Sequence, residues 1–247
     1  MGRQKSQQTS RKAFGSESRP STGNLYIVGT PIGCLDDLTL RARTVLARVS
    51  IVVAETPLAT QTLLNHHGIT ATVTGYGQGD EGKIAVLVDR LNAGHDIAFV
   101  SDNGMPLIYD PGRLLISAAR AAGHAAIVIP GPSALTAAVA LSGESADRLL
   151  FVGRLPRTGQ RLDRFLKGLR REGATTVMFL SPSAVPRLLE RLERILPRRT
   201  VTLAVNMTKA DERVRQGTAA ALLEQFRSFP HDSEVTCVLT GKRTGRR

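Results

Sequence analysis

Residues 97–112 read IAFVSDNGMPLIYDPG. Four apolar residues run straight into twelve that hold two aspartates, two glycines and two prolines. A helical pattern follows near residues 112–122. A short unbroken apolar run bounded by turn residues is a strand covered on both faces. Glycine admits close approach to the backbone and proline sets the loop's shape. The same grammar appears twice more. LYIV (Leu25–Val28) runs into GTPIG at residues 29–33, and AIVI (Ala126–Ile129) runs into PGPSA at residues 130–134. In open α/β sheets ligands sit beyond the carboxyl ends of the strands. One such loop can be only a tight connection; three at one edge point to a binding site. None carries the full dinucleotide-binding glycine pattern or a phosphate-binding P-loop.

Outward from these loops, apolar runs alternate with helical patterns. Strands are expected at residues 25–28, 51–54, 71–74, 97–100 and 126–129, with helices near 38–48, 60–66, 81–93 and 112–122. This alternation predicts a mostly parallel sheet with helices on both faces. The pattern restarts after residues 130–133. Helices are expected at 133–141, 160–171, 185–196 and 219–229, and strands at 150–152, 176–180, 200–206 and 234–240. A pairing segment near Val214 suggests that this second sheet is mixed. The expected organisation is a basic disordered tail (1–22), an N-terminal α/β domain (23–131), a C-terminal α/β domain (132–241) and a basic tail (242–247).

The 247 residues include no Trp and few aromatics, so the core must be Leu, Val, Ile and Ala. No apolar run approaches the ~20 residues of a membrane span, and the basic start lacks the apolar stretch of a signal peptide. Cys34 and Cys237 lie far apart, without metal-ligand spacing, and read as reduced intracellular thiols. A cytoplasmic protein is therefore expected. The five histidines show no ligand spacing; adjacent His66 and His67 read as a helix-end pair. The net charge is +12, and residues 151–200 hold twelve basic against four acidic side chains. RNA is one natural partner for such a segment; a solvated arginine-rich face is the other reading. Arg154, Arg157, Arg161 and Arg164 head the segment, and spacings of three or four from Arg157 put much of this charge on one helical face. Such a face would hold an RNA backbone without reading its sequence.

Four motifs in order, GNLYIVGTPIG, SDNGMPLIYDPG, IPGPSALTAA and FVGRLP, resemble the tetrapyrrole methylase superfamily. Within it they are most similar to the bacterial enzymes that 2′-O-methylate a cytidine ribose in 16S ribosomal RNA. The likeness runs from about Asn24 to Gly241. It implies two α/β domains of the tetrapyrrole methylase type, S-adenosylmethionine in the cleft between them, a homodimer, and ribosomal RNA or the small ribosomal subunit as partner, with no metal and no membrane. It also implies cofactor contacts. Asp102, Asn103 and Gly104 would lie along the methionine and ribose parts, with Leu107 and Ile108 nearby. Pro31 would face the methyl group, Ser133 and Ala134 would open the second domain, and Leu180 and Met207 would close over the adenine.

Several polar positions depart from the family pattern. The family's Glu-Asp-Thr-Arg is Glu55-Thr56-Pro57-Leu58 here, its Ser-Asp-Ala-Gly-Thr-Pro has Asn103 and Met105, and its Glu-Leu-Thr-Lys is Asn206-Met207-Thr208-Lys209. A hydroxyl nucleophile benefits from a base. The candidates are Glu55, just past a strand end, Lys209 and, less directly, Asp102; a capping role for Glu55 and an exposed hairpin position for Lys209 are the alternatives. Two other functions stay open: a non-catalytic RNA- or ribosome-binding member of the fold, which the replaced polar residues favour, and a small-molecule methyltransferase, which the basic segment disfavours.

Overall fold

The computed structural model describes residues 22–77, 80–145, 147–225, 230 and 232–241. The two tails expected at the ends fall almost wholly outside these residues. The first sheet is formed by β1 (Leu25–Val28), β2 (Ile51–Ala54), β3 (Thr72–Gly75), β4 (Ile97–Val100) and β5 (Ala126–Ile129), in the order β3-β2-β4-β1-β5. All its pairs are parallel. Between them run α1 (Leu40–Arg48), α2 (Pro57–His66), α3 (Glu81–Asn92) and α4 (Arg113–Ala121). One apolar cluster packs α1 and α2 on one face of the sheet, and a second packs α3 and α4 on the other. Burial on both faces is why β1, β2 and β4 read as unbroken apolar runs; β3 and β5, at the sheet's edges, are more exposed. The adjacent histidines end α2: His66 lies 2.8 Å from Asp36 Oδ1 and His67 2.9 Å from the Leu35 carbonyl.

The register places the three loops together. β1 is the central member of β4-β1-β5, with Val28 opposite Val100 on one side and Ile129 on the other. All three strands therefore release their loops at one level. The Thr30 amide donates to the Gly104 carbonyl at 2.9 Å, and the Gly29 amide to Ile129 at 3.0 Å. Gly29 and Gly131 face each other so closely that a Cβ on either would lie 2.8 Å from the other's backbone.

The second sheet contains β6 (Leu149–Arg154), β7 (Thr175–Leu180), β8 (Thr200–Val205), β9 (Arg213–Thr218) and β10 (Val235–Leu239), in the order β6-β7-β10-β8-β9. Only β6 and β7 pair in parallel, so the sheet is mixed, as expected. Helices α6 (Gly159–Gly168), α7 (Ala184–Ile195) and α8 (Ala219–Gln225) cover one face. In α7, Val185, Leu188, Leu189, Leu192 and Ile195 form the buried stripe of a helix laid on a sheet. The other face takes α5 (Ala134–Ser142) together with Ile32 from the first loop. The cluster of Ile32, Ala138, Val177, Met207 and Val238 thus joins the two halves.

Several element boundaries differ from expectation: α2 begins at Pro57 rather than residue 60, and β6 runs over Leu149–Arg154 rather than 150–152. The helix expected through residue 171 ends at Gly168 and tightens into a 3-10 turn at Leu169–Arg171. The segment near Val214 is a six-residue edge strand whose mostly exposed side chains left little periodic signal. The expected extension of α8 to residue 229 lies outside the described residues.

Candidate functional site

Beyond the carboxyl ends of β1, β4 and β5 lies a cleft of about 740 Å³ between the two sheets. The second loop supplies Asn103, Gly104, Met105, Ile108, Tyr109 and Asp110; Ser133 and Ala134 come from the third. The second half closes it with Arg154 and Leu155 after β6, Leu180 to Pro182 after β7, Arg187 on α7 and Ser233 to Thr236 at the start of β10.

Three contacts bring the halves together. The Cys34 amide donates to Thr208 Oγ1 at 2.9 Å. Asn103 Nδ2 donates to Glu234 Oε1 at 3.1 Å, and Lys209 Nζ meets the same oxygen at 3.2 Å. The Tyr109 ring packs where a Cβ on Gly153 would stand, and the Arg154 guanidinium lies 5.2 Å from the ring centroid. Leu107 and Tyr109 both have positive φ, 74° and 75°. Holding side chains in that region costs about 1–3 kcal/mol each and needs surrounding contacts to enforce it. For Tyr109 those contacts are Gly153 and Arg154.

Of the residues singled out in the sequence, Asn103, Gly104, Ile108, Ser133, Ala134, Leu180, Arg154 and Arg157 line the cleft. Pro31 stands just behind it, its carbonyl accepting from the Gly104 amide at 3.3 Å. Leu107 is partly exposed beside it, and Met207 is buried in the core that joins the halves. Arg161 and Arg164 are exposed on α6, outside the lining; between them Asp163 is held by Arg191 at 3.0 Å and Arg194 at 3.3 Å. Lys209 reaches the site through Glu234. Neither Glu55 nor Asp102 is among the residues that line the cleft. Asp102 caps α2, accepting from the Thr56 amide at 2.9 Å and the Thr56 hydroxyl at 2.7 Å. Asp102→Ala removes both bonds and is expected to cost about 1–2 kcal/mol, read from urea denaturation.

The site also contains residues that the sequence did not mark. Asp110 lines the cleft, and its carboxyl is pushed up to about 6 by burial and then by the neighbouring Glu55 and Asp102, with the Ser101 hydroxyl opposing. Glu55 is itself raised, by burial and then by Asp102. Asp110 stood in the quoted loop, but nothing local separated it from a turn-forming Asp-Pro-Gly. Arg187 reaches the cleft from α7, where it reads as an ordinary polar-face residue, and donates to the Arg157 carbonyl at 2.7 Å. Its Nε is buried without a partner among the described residues, as is the hydroxyl of Ser233, a residue only 6% exposed. Buried polar atoms in a cleft without partners are groups that a ligand satisfies. Cys237 is inert in the core, its thiol pushed up to about 12 by burial. Among the described residues no three His, Cys, Asp or Glu side chains gather to hold a metal, and no helix is long and apolar enough to cross a membrane.

The family model for tetrapyrrole (corrin/porphyrin) methylases matches residues 24–223. A ribosomal RNA small subunit methyltransferase I of Thermotoga maritima is 38% identical over 221 residues, 89% of this chain and 99% of that protein. One of Mesorhizobium japonicum is 38% identical over 226 residues, 90% of this chain and 76% of the relative. Among solved structures, a cobalamin biosynthetic enzyme, cobalt precorrin-4 methyltransferase, superposes with a TM-score of 0.68 over 92% of this chain and 98% of its own, at 19% identity. Diphthine synthase superposes with 0.64 over 87% and 89%, at 15% identity. At such identities these structures establish a shared fold.

Proposed function

The chain belongs to the tetrapyrrole methylase family, and we propose that it transfers a methyl group from S-adenosylmethionine to the 2′-hydroxyl of a cytidine ribose in 16S ribosomal RNA. The observation that carries this reading is the cleft itself. One wall is the loops after β4 and β5, braced from behind by the loop after β1; the opposite rim is Arg154, Arg157 and Arg187. Relatives sharing 33–40% of their residues with the chain carry the name of a small-subunit rRNA methyltransferase.

The cleft fits a nucleoside-sized cofactor. Its volume falls within the ~300–1,000 Å³ of ligand pockets. Ile108, Leu155, Leu180 and Val235 offer apolar surface, and the Ser233 hydroxyl is buried with no partner among the described residues. Gly104, at φ 80°, presents bare backbone: a Cβ there would crowd Ile32 and the Pro132 carbonyl. Asn103, Ser133 and Ala134 would contact the cofactor from the loops, and Leu180 from the second half. When bound, S-adenosylmethionine supplies an electrophilic methyl on a sulfonium, a good leaving group, so the reaction asks the protein mainly for alignment. Fixing the ribose oxygen in line with that methyl is worth several kcal/mol of barrier. The arginine rim serves this by holding backbone phosphates on either side of the target.

Calorimetric titration with S-adenosylmethionine is the first test, with saturable binding near one site per chain as the expected result. Labelled methyl transfer to unmodified small ribosomal subunits is the second. Binding to subunits without transfer would instead support a non-catalytic ribosome-binding protein. Transfer only to small molecules would remove RNA from the reading; the arginine rim, which such substrates do not need, argues against it. We read the protein as cytoplasmic and homodimeric, in keeping with a ribosomal substrate and with the family resemblance.

A further inference from the structure

A ribose hydroxyl must lose its proton as it is methylated, and five charged side chains line the cleft: Asp110, Glu234, Arg154, Arg157 and Arg187. Arginine cannot accept a proton at any working pH. Glu234 is already engaged by Asn103 Nδ2 and Lys209 Nζ. Asp110 takes part in no ion pair among the described residues. Resting on the methyltransfer reading above, we propose that Asp110 is the general base that takes the ribose hydroxyl proton.

The backbone supports this aim. Asp110 follows Tyr109, whose φ of 75° is held by the Gly153 contact and the Arg154 cation. Asp110, on this strained turn, lines the cleft next to the residue that touches the phosphate-holding rim. A base and a phosphate contact on neighbouring groups bring a nucleotide's sugar between them. The ribose oxygen bonds the methyl carbon as the carbon–sulfur bond breaks, with its electron pair staying on sulfur. The hydroxyl proton passes to an Asp110 carboxylate oxygen. One cation and one anion become a neutral thioether, a methyl ether and a neutral carboxylic acid, so charge and atoms balance.

The groups facing Asp110 are Glu55 after β2 and Asp102 and the Ser101 hydroxyl after β4. With its carboxyl pushed up to about 6, Asp110 is ionised at pH 7 yet basic enough to accept a proton, the range that suits a general base. Glu55 therefore acts on Asp110 by charge rather than on the substrate.

The test is Asp110→Asn, which keeps size and shape, assayed by single-turnover methyl transfer to small subunits. The rate is expected to fall about 10²–10⁴-fold, with S-adenosylmethionine affinity by calorimetry within threefold of wild type. The wild-type rate is expected to fall as pH drops through about 6, and Glu55→Gln is expected to move that midpoint lower. A readout independent of activity is the melting temperature. An ionised, half-buried carboxylate destabilises the fold above its raised pKa, so Asp110→Asn is expected to melt higher than wild type at pH 8, the gain vanishing as pH falls through about 6 toward 3.8. Transfer by Asp110→Asn within tenfold of wild type, or a tenfold loss of cofactor affinity, would overturn the base assignment alone. No transfer by wild type would overturn the underlying reading and the assignment together.

Discussion

Gly112→Ala is expected to destabilise the protein by about 3–5 kcal/mol, the sum of backbone strain and overpacking of a core that cannot yield. Gly112 has φ 121°, a conformation that L side chains rarely adopt. A Cβ there would stand 2.2 Å from Phe99 Cε1 and 2.6 Å from Cζ. Phe99 is fully buried at the centre of β4, in edge-to-face contact with Tyr76 at 5.8 Å, so its ring has nowhere to move. For a chain of this length about 2–4 °C is lost per kcal/mol, so the melting temperature should drop by roughly 10 °C. Gly68→Ala is the control. Gly68 has φ 64° and nothing within 4 Å of a built Cβ, so only the strain of about 1 kcal/mol is expected. Equal melting temperatures for the two variants would show that the Phe99 contact relaxes freely.

The second large effect concerns the rim. Replacing Arg154, Arg157 and Arg187 together by alanine is expected to weaken binding to small ribosomal subunits about 10–100-fold at physiological salt. It should also flatten the log–log salt dependence by roughly two to three, because each phosphate contact contributes a slope of about 0.9. Arg161→Ala and Arg164→Ala, on the exposed face of α6 beyond the cleft, should each lower the slope by at most about one. Binding measured from 50 to 300 mM KCl separates the two. An unchanged slope in the triple variant would place the RNA on another surface. Arg154 carries a second load, since it lies over Tyr109 and so supports the turn that bears Asp110. Its single variant is therefore expected to slow the methyl-transfer step as well as weaken binding.

The α/β alternation and the glycine- and proline-rich loops after β1, β4 and β5 were legible because they rest on local signals. Strands buried on both faces must be continuously apolar, and loops that meet a ligand or one another need Gly and Pro. The Gly29–Gly131 contact illustrates this: only glycine permits that approach, so both positions carried their signal in the residue type. The 3-10 end of α6 and the edge strand β9 were less legible, since neither has a hydrophobic period strong enough to set its limits.

The site divides in the same way. Asn103, Gly104, Ser133 and Arg154 belong to recognisable stretches, and the cleft gathers them. Glu234 and Arg187 did not stand out, because each occupies an unremarkable place in its own element and becomes part of the site only when the second sheet packs against the first. The surroundings of the acids were set by the fold as well. Glu55 is remote in the chain from the loop that holds Asp102 and Asp110, and no local pattern ranks the two aspartates. Only the parallel pairing of β2 with β4 brings the ends of both strands together, placing Asp102 on the cap of α2, Glu55 near both aspartates and Asp110 in the cleft. The sequence by itself determined which segments are strands, which loops stay open and where positive charge collects, because those depend on neighbours along the chain. The surroundings of each carboxylate and the pairing of each cation depend on desolvation and on distances between remote residues, which arise when the two sheets pack together.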